Sequence, residues 1–332
     1  MKPHSLPAPP AAPARAEDAA ILRTLLYADV FNYPLTADEV YRFLIGVKAQ
    51  PEEVRRALHH SAWLAERTER INGYFALEGR VETAARREVR ERASRDLWRT
   101  ARRYARWLGH LPFVRMVAVT GALAMDNSEA GDDIDFLVVT TPGRVWLARA
   151  LCIGLVRLAR ALGVRLCPNY VLAKTALLQN RQDLFTAHEV AQMTPVVGHA
   201  LYEEMRRANA WAYEFLPNAL GPPRREPEGA PRGLGRWAQG ALEWALGGRL
   251  GDSLEQWEQK RKLVKFRPQA QLATADAVLD AEHVKGHFRD YGVLTLQAYE
   301  DRLRAFGVDS KGVSSISPAE RERPGGPAHI PG

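Results

Sequence analysis

Cysteine is scarce: Cys152 and Cys167 are the two in 332 residues. They lack metal-ligand spacing, which excludes a cysteine-built metal site, and both read as buried reduced thiols. Long apolar runs are missing too, so no segment is expected to span a bilayer. The opening "MKPHSLPAPPAAPARAED" has no apolar signal-peptide core. It reads as a disordered lead-in over residues 1–17, and the expected location is cytoplasmic. There is no P-loop, no Gly-x-Ser-x-Gly elbow and no internal repeat. His188-Glu189 has no second histidine four residues on, so it is not the zinc-protease helix.

What is present is an excess of positive charge. Lys and Arg number 46 against 39 Asp and Glu, a net +7. That balance suits a polyanionic partner such as a nucleotide or nucleic acid, although an Arg- and Ala-rich composition also follows from a GC-rich genome.

Apolar residues at three- and four-residue spacing predict a helix over 18–34, ending before Pro34. "PLTADEVYRFL" holds a capping box, Thr36 with Glu39, and "PEEVRRALHHSAWL" starts another helix at Pro51, with Glu52 and Glu53 complementing its dipole. In "LAERTERINGYFAL", Asn72-Gly73 is a two-residue hairpin signal. Three helices and a hairpin give a winged-helix-like domain over 18–79. Residues 80–110 read as a connecting helix in which Trp98, Tyr104, Trp107 and Leu108 make the packed stripe. Its many arginines are read as a solvated face, with nucleic-acid contact as the alternative.

The centre alternates: strand 113–119, a Gly turn, a short helical segment, strand 134–140, helix 143–162, strand 164–173. This defines a core over 111–180, a small sheet flanked by helices, and the expected fold class is α+β. A helical extension follows over 181–220 and a Pro/Gly-rich linker over 221–235. The region 236–307 is read as helical, with helices at 236–265 and 274–305, and a disordered tail covers 308–332.

The chemistry concentrates in "GDDIDFLVVT". Asp133 and Asp135 are two apart at a strand start and so share one face, while Ile134 and Phe136 point into the core. Two carboxylates on one face suit a hard cation such as Mg²⁺ or Mn²⁺. Asp132 reads as a turn residue. Upstream, Thr120-Gly121-Ala122 closes the preceding strand, and a glycine there lets backbone N–H groups approach a phosphate.

"GALAMDNSEAGDDIDFLVV" resembles the signature of the polymerase-beta-type nucleotidyltransferase superfamily: Gly with a second small residue, about ten variable residues, then Asp-apolar-Asp-apolar. Gly121-Ala122 and Asp133-Ile134-Asp135-Phe136 occupy those places. "YADVFNYPLT", "CPNYVLAKT" and "YEEMRRANAWAYEFLPN" are similar to segments of bacterial proteins that carry this domain. The resemblance implies that Asp133 and Asp135 bind Mg²⁺ bridged to a nucleoside triphosphate. It implies that Thr120, Gly121 and Ala122 contact its phosphates. A third carboxylate, usually on a later strand, would bind a second metal and activate the acceptor hydroxyl.

The sequence departs from the signature at three places. Ala122 offers no hydroxyl, and Ala124-Met125-Asp126 stands where many small members have Ala-Arg-Gly. The strand "GVRLCPNYVLAK" carries no acid, leaving Asn169 as the nearest oxygen donor. Lys174 reads as a surface residue and His199 as packed. His283 and His287, four apart with Gly286 between them, make a poor metal pair.

The leading expectation is transfer of a nucleoside monophosphate from NTP to a hydroxyl of an undefined acceptor. The alternative is a degenerate nucleotide-sensing or nucleic-acid-binding regulator that works through the winged helix. A third is a structural α/β domain whose acids are turn residues. A winged helix serves proteins as well as nucleic acid, so its partner stays open.

Overall fold

The computed structural model describes Pro13 and residues 15–270, 276–287 and 290–309. In chain order the elements are α1 (Ala16–Asp29), β1 (Leu35–Thr36), α2 (Ala37–Arg42), α3 (Pro51–His60), α4 (Ala62–Ala65), β2 (Thr68–Ile71) and β3 (Tyr74–Leu77). Then come α5 (Glu82–Gly109), β4 (Val114–Val119), α6 (Gly121–Ala124), β5 (Ile134–Thr140), α7 (Val145–Ala161) and β6 (Leu166–Ala173). The chain continues through α8 (Leu184–Gln192), β7 (Thr194–Val197), α9 (His199–Ala208), α10 (Ala212–Phe215), α11 (Leu234–Ala245), α12 (Arg249–Ala270), β8 (Asp276–Leu279), β9 (His283–His287) and α13 (Tyr291–Ala305). The fold is α+β, with two sheets and helices on them.

The chain divides into two compact units. The first comprises Met1–Arg87, Tyr213–Ala219 and Thr295–Ser314; the second comprises Glu88–Ala212, Leu220–Leu294 and Ser315–Gly332. The first is therefore larger than the expected 18–79, because two later segments join it.

In the first unit α1 packs on α2, α3 and β3, and Ile21, Leu22, Leu25, Leu26, Val40, Leu44, Val54 and Phe75 are all buried. Thr36 accepts from the Glu39 amide while Glu39 accepts from the Thr36 amide, the predicted capping box. Asn72 (φ 52°) and Gly73 (φ 88°) make the β2–β3 turn, as that pair favours. The three strands run β1-β3-β2. α1 stops at Asp29, short of the expected boundary, because Asn32 takes a left-handed φ of 50°. Asp29 there accepts from Arg80 and Arg302, each at 2.8 Å.

The second unit holds a six-stranded sheet in the order β7-β4-β5-β6-β9-β8. β5 pairs antiparallel with β4 and parallel with β6, and α7 makes the crossover between β5 and β6. Val117, Val119, Phe136, Val138 and Val171 form one core with Trp98, Tyr104 and Leu108 of α5 and Trp146, Ala148 and Cys152 of α7. Alternation turns Met116, Ala118, Leu137 and Val139 to the opposite face, where they are also buried.

The structure corrects several expectations in this unit. Residues 181–220 are not all helical, because Thr194–Val197 is β7, an edge strand on β4. Pro195 lacks an N–H, which an edge strand tolerates and a central one does not. The region 236–307 is not all helical either: β8 and β9 form a hairpin that extends the sheet beyond β6. His283 and His287 therefore lie on a strand. Within the expected linker, Arg224, Glu226 and Glu228 bond Asp126, Arg102 and His199, so the segment is fastened down. That makes His199 a hydrogen-bond partner of Glu228, through Nδ1 at 2.8 Å, rather than an apolar core residue. Trp107 is partly exposed and packs edge-on against Tyr104, while Trp98, Tyr104 and Leu108 are fully buried. The expected lead-in is shorter than 17 residues, since α1 begins at Ala16. Residues 1–12 and 14, and the tail from 310, lie outside the described residues.

Candidate active site

The Gly turn and the acid-bearing strand meet at one end of the sheet. β4 ends at Val119, opposite Phe136, and the Thr120 amide then donates to the Asp135 carbonyl at 3.1 Å. Asp135 is in turn registered with Cys167 of β6. Thr120, Asp135 and Cys167 thus form a row across three neighbouring strands.

Gly121 follows with φ +66°, and a Cβ there would stand 2.5 Å from Asp135 Oδ2. Both facts require glycine: the conformation disfavours any side chain, and the carboxylate occupies the space. The backbone of the turn therefore lies directly against the acid. α6 is only one turn long, so its dipole adds little. The amides of Gly121 and Ala122 are in its first turn and have no intrahelical acceptor. Thr120 Oγ1 is buried and has no hydrogen-bond partner among the described residues.

The acids differ in state. Burial pushes Asp135 up to about 6; the thiol of Cys167, donating to it, pulls the other way, and the charges of Asp133 and Asp132 push it further up. Burial and the charge of Asp135 push the Cys167 thiol up to about 12. Asp133 is half exposed and pairs with the equally exposed Arg165 at 3.0 Å. Such a pair is worth about 0–1 kcal/mol, so Asp133 is free to turn to a better partner. Asp132 Oδ2 accepts from the Glu129 amide at 2.7 Å and the Asp132 amide donates back to the Glu129 carbonyl, a turn as expected.

The loop between Gly121 and Asp133 is anchored to one face of α5. Arg90, Ser94 and Trp98 recur every fourth residue and so point the same way. Arg90 donates to Asn127 and Glu129, Ser94 Oγ accepts from the Ser128 amide, and Trp98 Nε1 donates to Asp126 at 2.8 Å. Asp126 also accepts from Arg224, whose guanidinium lies 4.6 Å from the Trp98 ring centroid. Asp126 thus fixes the loop that leads to the acids. None of these contacts was visible as a motif; the four-residue recurrence on α5 was the available signal.

Asn169 is not the residue registered with Asp135; Cys167 is. The register slips between Cys167 and Tyr170, leaving Asn169 and Pro168 opposite Phe136, which points into the core. β6, the strand on which an acid was expected, carries none, and Cys167 is its residue in register with Asp135. Both Asp135 and Cys167 are second residues of their parallel strands, a signal the sequence reading passed over. Lys174 pairs with Glu204 at the surface, and buried His188 is pushed down to about 4 by desolvation, so it is neutral at pH 7.

Among the described residues, no three His, Cys, Asp or Glu side chains are grouped as a metal site. The donors present still fit a divalent cation. Asp135 is held protonated to an unusual pH beside two further acids, and a cation relieves both burial and repulsion.

Compared with protein-family models, with curated proteins and with solved structures, the chain finds no match in any of the three.

Proposed function

We propose that the second unit is the catalytic domain of a nucleotidyltransferase of the polymerase-beta type. It would use Mg²⁺ or Mn²⁺ and move a nucleoside monophosphate from NTP to a hydroxyl acceptor. The observation that carries this reading is the contact between Gly121 and Asp135, two residues 14 positions apart in the sequence that meet through the β4–β5 pairing.

In this reading Asp133 and Asp135 hold the cation. When bound, the cation neutralises charge on the triphosphate and on the leaving pyrophosphate. Thr120 Oγ1 and the Gly121 and Ala122 amides receive phosphate oxygens, which supplies the orphaned hydroxyl with a partner. The loop 125–132, anchored on α5 through Asp126, Asn127, Ser128 and Glu129, leads into Asp133. The helical first unit, with its three-stranded sheet, is read as a winged-helix-like module that presents a partner, nucleic acid or protein.

A second reading, a nucleotide sensor without turnover, is favoured by one observation. The strand parallel to the acid-bearing one carries no carboxylate, and a cysteine, Cys167, is registered with Asp135.

The test is transfer of label from α-labelled NTPs in the presence of Mg²⁺ and a cell extract, with an Asp133→Ala/Asp135→Ala variant alongside. Label passing to an acceptor only with intact aspartates supports the transferase. Metal-dependent binding without transfer selects the sensor.

A further inference from the structure

α11 sits on its unit the wrong way round for an ordinary surface helix. Its inward residues are Gly235, Gln239 and Glu243, four apart on one face, and none of its residues is buried. Gly235 lies against the His110 ring. Gln239 Nε2 donates to the Gly109 and Leu111 carbonyls at 3.0 and 2.8 Å. Glu243 accepts from the Phe113 amide at 2.7 Å and from both terminal nitrogens of Arg115 at 2.7 and 2.9 Å. The polar face is thereby used for docking, and the apolar face is turned out.

That outer face carries Leu234, Trp237, Ala238, Ala241, Leu242, Trp244 and Ala245, an arc of roughly 160° at 100° per residue. Leu234 is 85% exposed, Trp237 73% and Trp244 87%. The next helix continues the pattern: Leu250, Trp257 and Val264 recur every seventh residue along α12 and are all exposed. Large apolar side chains standing this far into solvent, and so close together, mark a contact surface.

The charges around it point to the occupant. Residues 232–266 contain four acids, and each is engaged with its own chain: Glu243 with Arg115, Asp252 with Arg144, Glu255 with the Trp146 and Leu147 amides, and Glu258 with Arg261 and Lys262. Arg232 and Arg249 flank α11, Arg236 lies along its side, and Lys260 and Lys265 lie on α12; all five are exposed. We propose that α11 lies on an anionic lipid surface, its Trp and Leu side chains among the acyl chain ends and its arginines at the headgroups. The apolar arc lies along one side of a helix with no buried residue, the form that enters a bilayer interface. A symmetric contact with a second copy is disfavoured, because antiparallel α11 helices would set Arg232 against Arg249. Apolar Leu and Ala between the tryptophans favour lipid over stacked bases, which take aromatic and basic side chains alone. No helix among the described residues is long and apolar enough to cross a membrane, so the association is peripheral.

The experiment is flotation of the full chain with vesicles of phosphatidylcholine, with or without phosphatidylglycerol, reading both bound fraction and tryptophan emission. Binding to the anionic vesicles with a blue shift is expected. A Trp237→Ser/Trp244→Ser variant should bind at least about tenfold more weakly, in proportion to the apolar area lost. These side chains support nothing beneath them, so its thermal unfolding should match the parent. No binding to anionic vesicles, equal binding to neutral ones, or equal binding by the variant overturns the proposal. So does a self-association, or a binding of single-stranded oligonucleotide, that the variant abolishes while vesicle binding persists.

Discussion

A side chain on Gly121 would set its Cβ 2.5 Å from Oδ2 of Asp135. The turn and the acid are therefore one structural feature, although 13 residues separate them in the chain.

Gly121→Ala is expected to destabilise by about 2–3 kcal/mol, from the left-handed φ together with the clash. In Gly121→Ala/Asp135→Ala the carboxylate is gone, and the penalty should fall by about 1 kcal/mol or more. Denaturant unfolding of the four proteins in a double-mutant cycle measures this coupling. Additive effects would mean that the two residues do not touch.

Asp135 and His188 make opposite contributions to the pH dependence of stability. Asp135 is raised to about 6 when folded, from 3.8. The native state then holds more protons than the unfolded one, and stability is lost as pH rises between about 4 and 6. The loss is at most about 3 kcal/mol. Asp135→Asn is accordingly more stable than the parent at pH 7, and the gap closes below pH 4. His188 is lowered to about 4 from 6.5, so its contribution runs the other way: stability is lost as pH falls from 6.5 towards 4. Urea midpoints across this range, for the parent, Asp135→Asn and His188→Gln, give curves that tilt in opposite directions.

Divalent cation should reverse the Asp135 effect. Mg²⁺ or Mn²⁺ is expected to raise the melting temperature of the parent at pH 7 and to leave Asp133→Ala/Asp135→Ala unmoved. Cys167→Asp adds a carboxylate beside Asp135. Without cation it should melt below the parent, from like-charge repulsion, and with cation its upward shift should exceed the parent's. A cation response that Cys167→Asp does not change would place the cation away from Cys167.

Arg224→Ala removes the ion pair at Asp126 and the stacking on Trp98, a cost of about 1–3 kcal/mol. Amide hydrogen exchange should quicken over residues 125–132 and stay unchanged in β5. Uniform quickening across the second unit would show that Arg224 supports the whole core instead of the loop.

The elements that frame the site were legible because their signals are local. The Gly turn after an apolar strand, two acids at the start of the next, and the capping box at Thr36 each depend on a few adjacent residues. What was missed depends on pairing between distant segments. β7 is four residues with a proline, and β8 and β9 are short; each is a strand because the sheet has an edge to extend, not because of its own pattern. Cys167 reaches Asp135 through strand register, which no local pattern announces. The helical pattern over 236–265 is broken in the structure into α11 and α12; Gln239 and Glu243 decide which side of α11 faces in, and their partners lie about 130 residues upstream.

The most direct test of the account is calorimetric titration of NTP into the protein with Mn²⁺ present and with the metal chelated, repeated for Asp133→Asn/Asp135→Asn. The account predicts binding that needs Mn²⁺ and is lost in the variant. Nucleotide binding that survives both chelation and the substitution, or no binding at all, would contradict it.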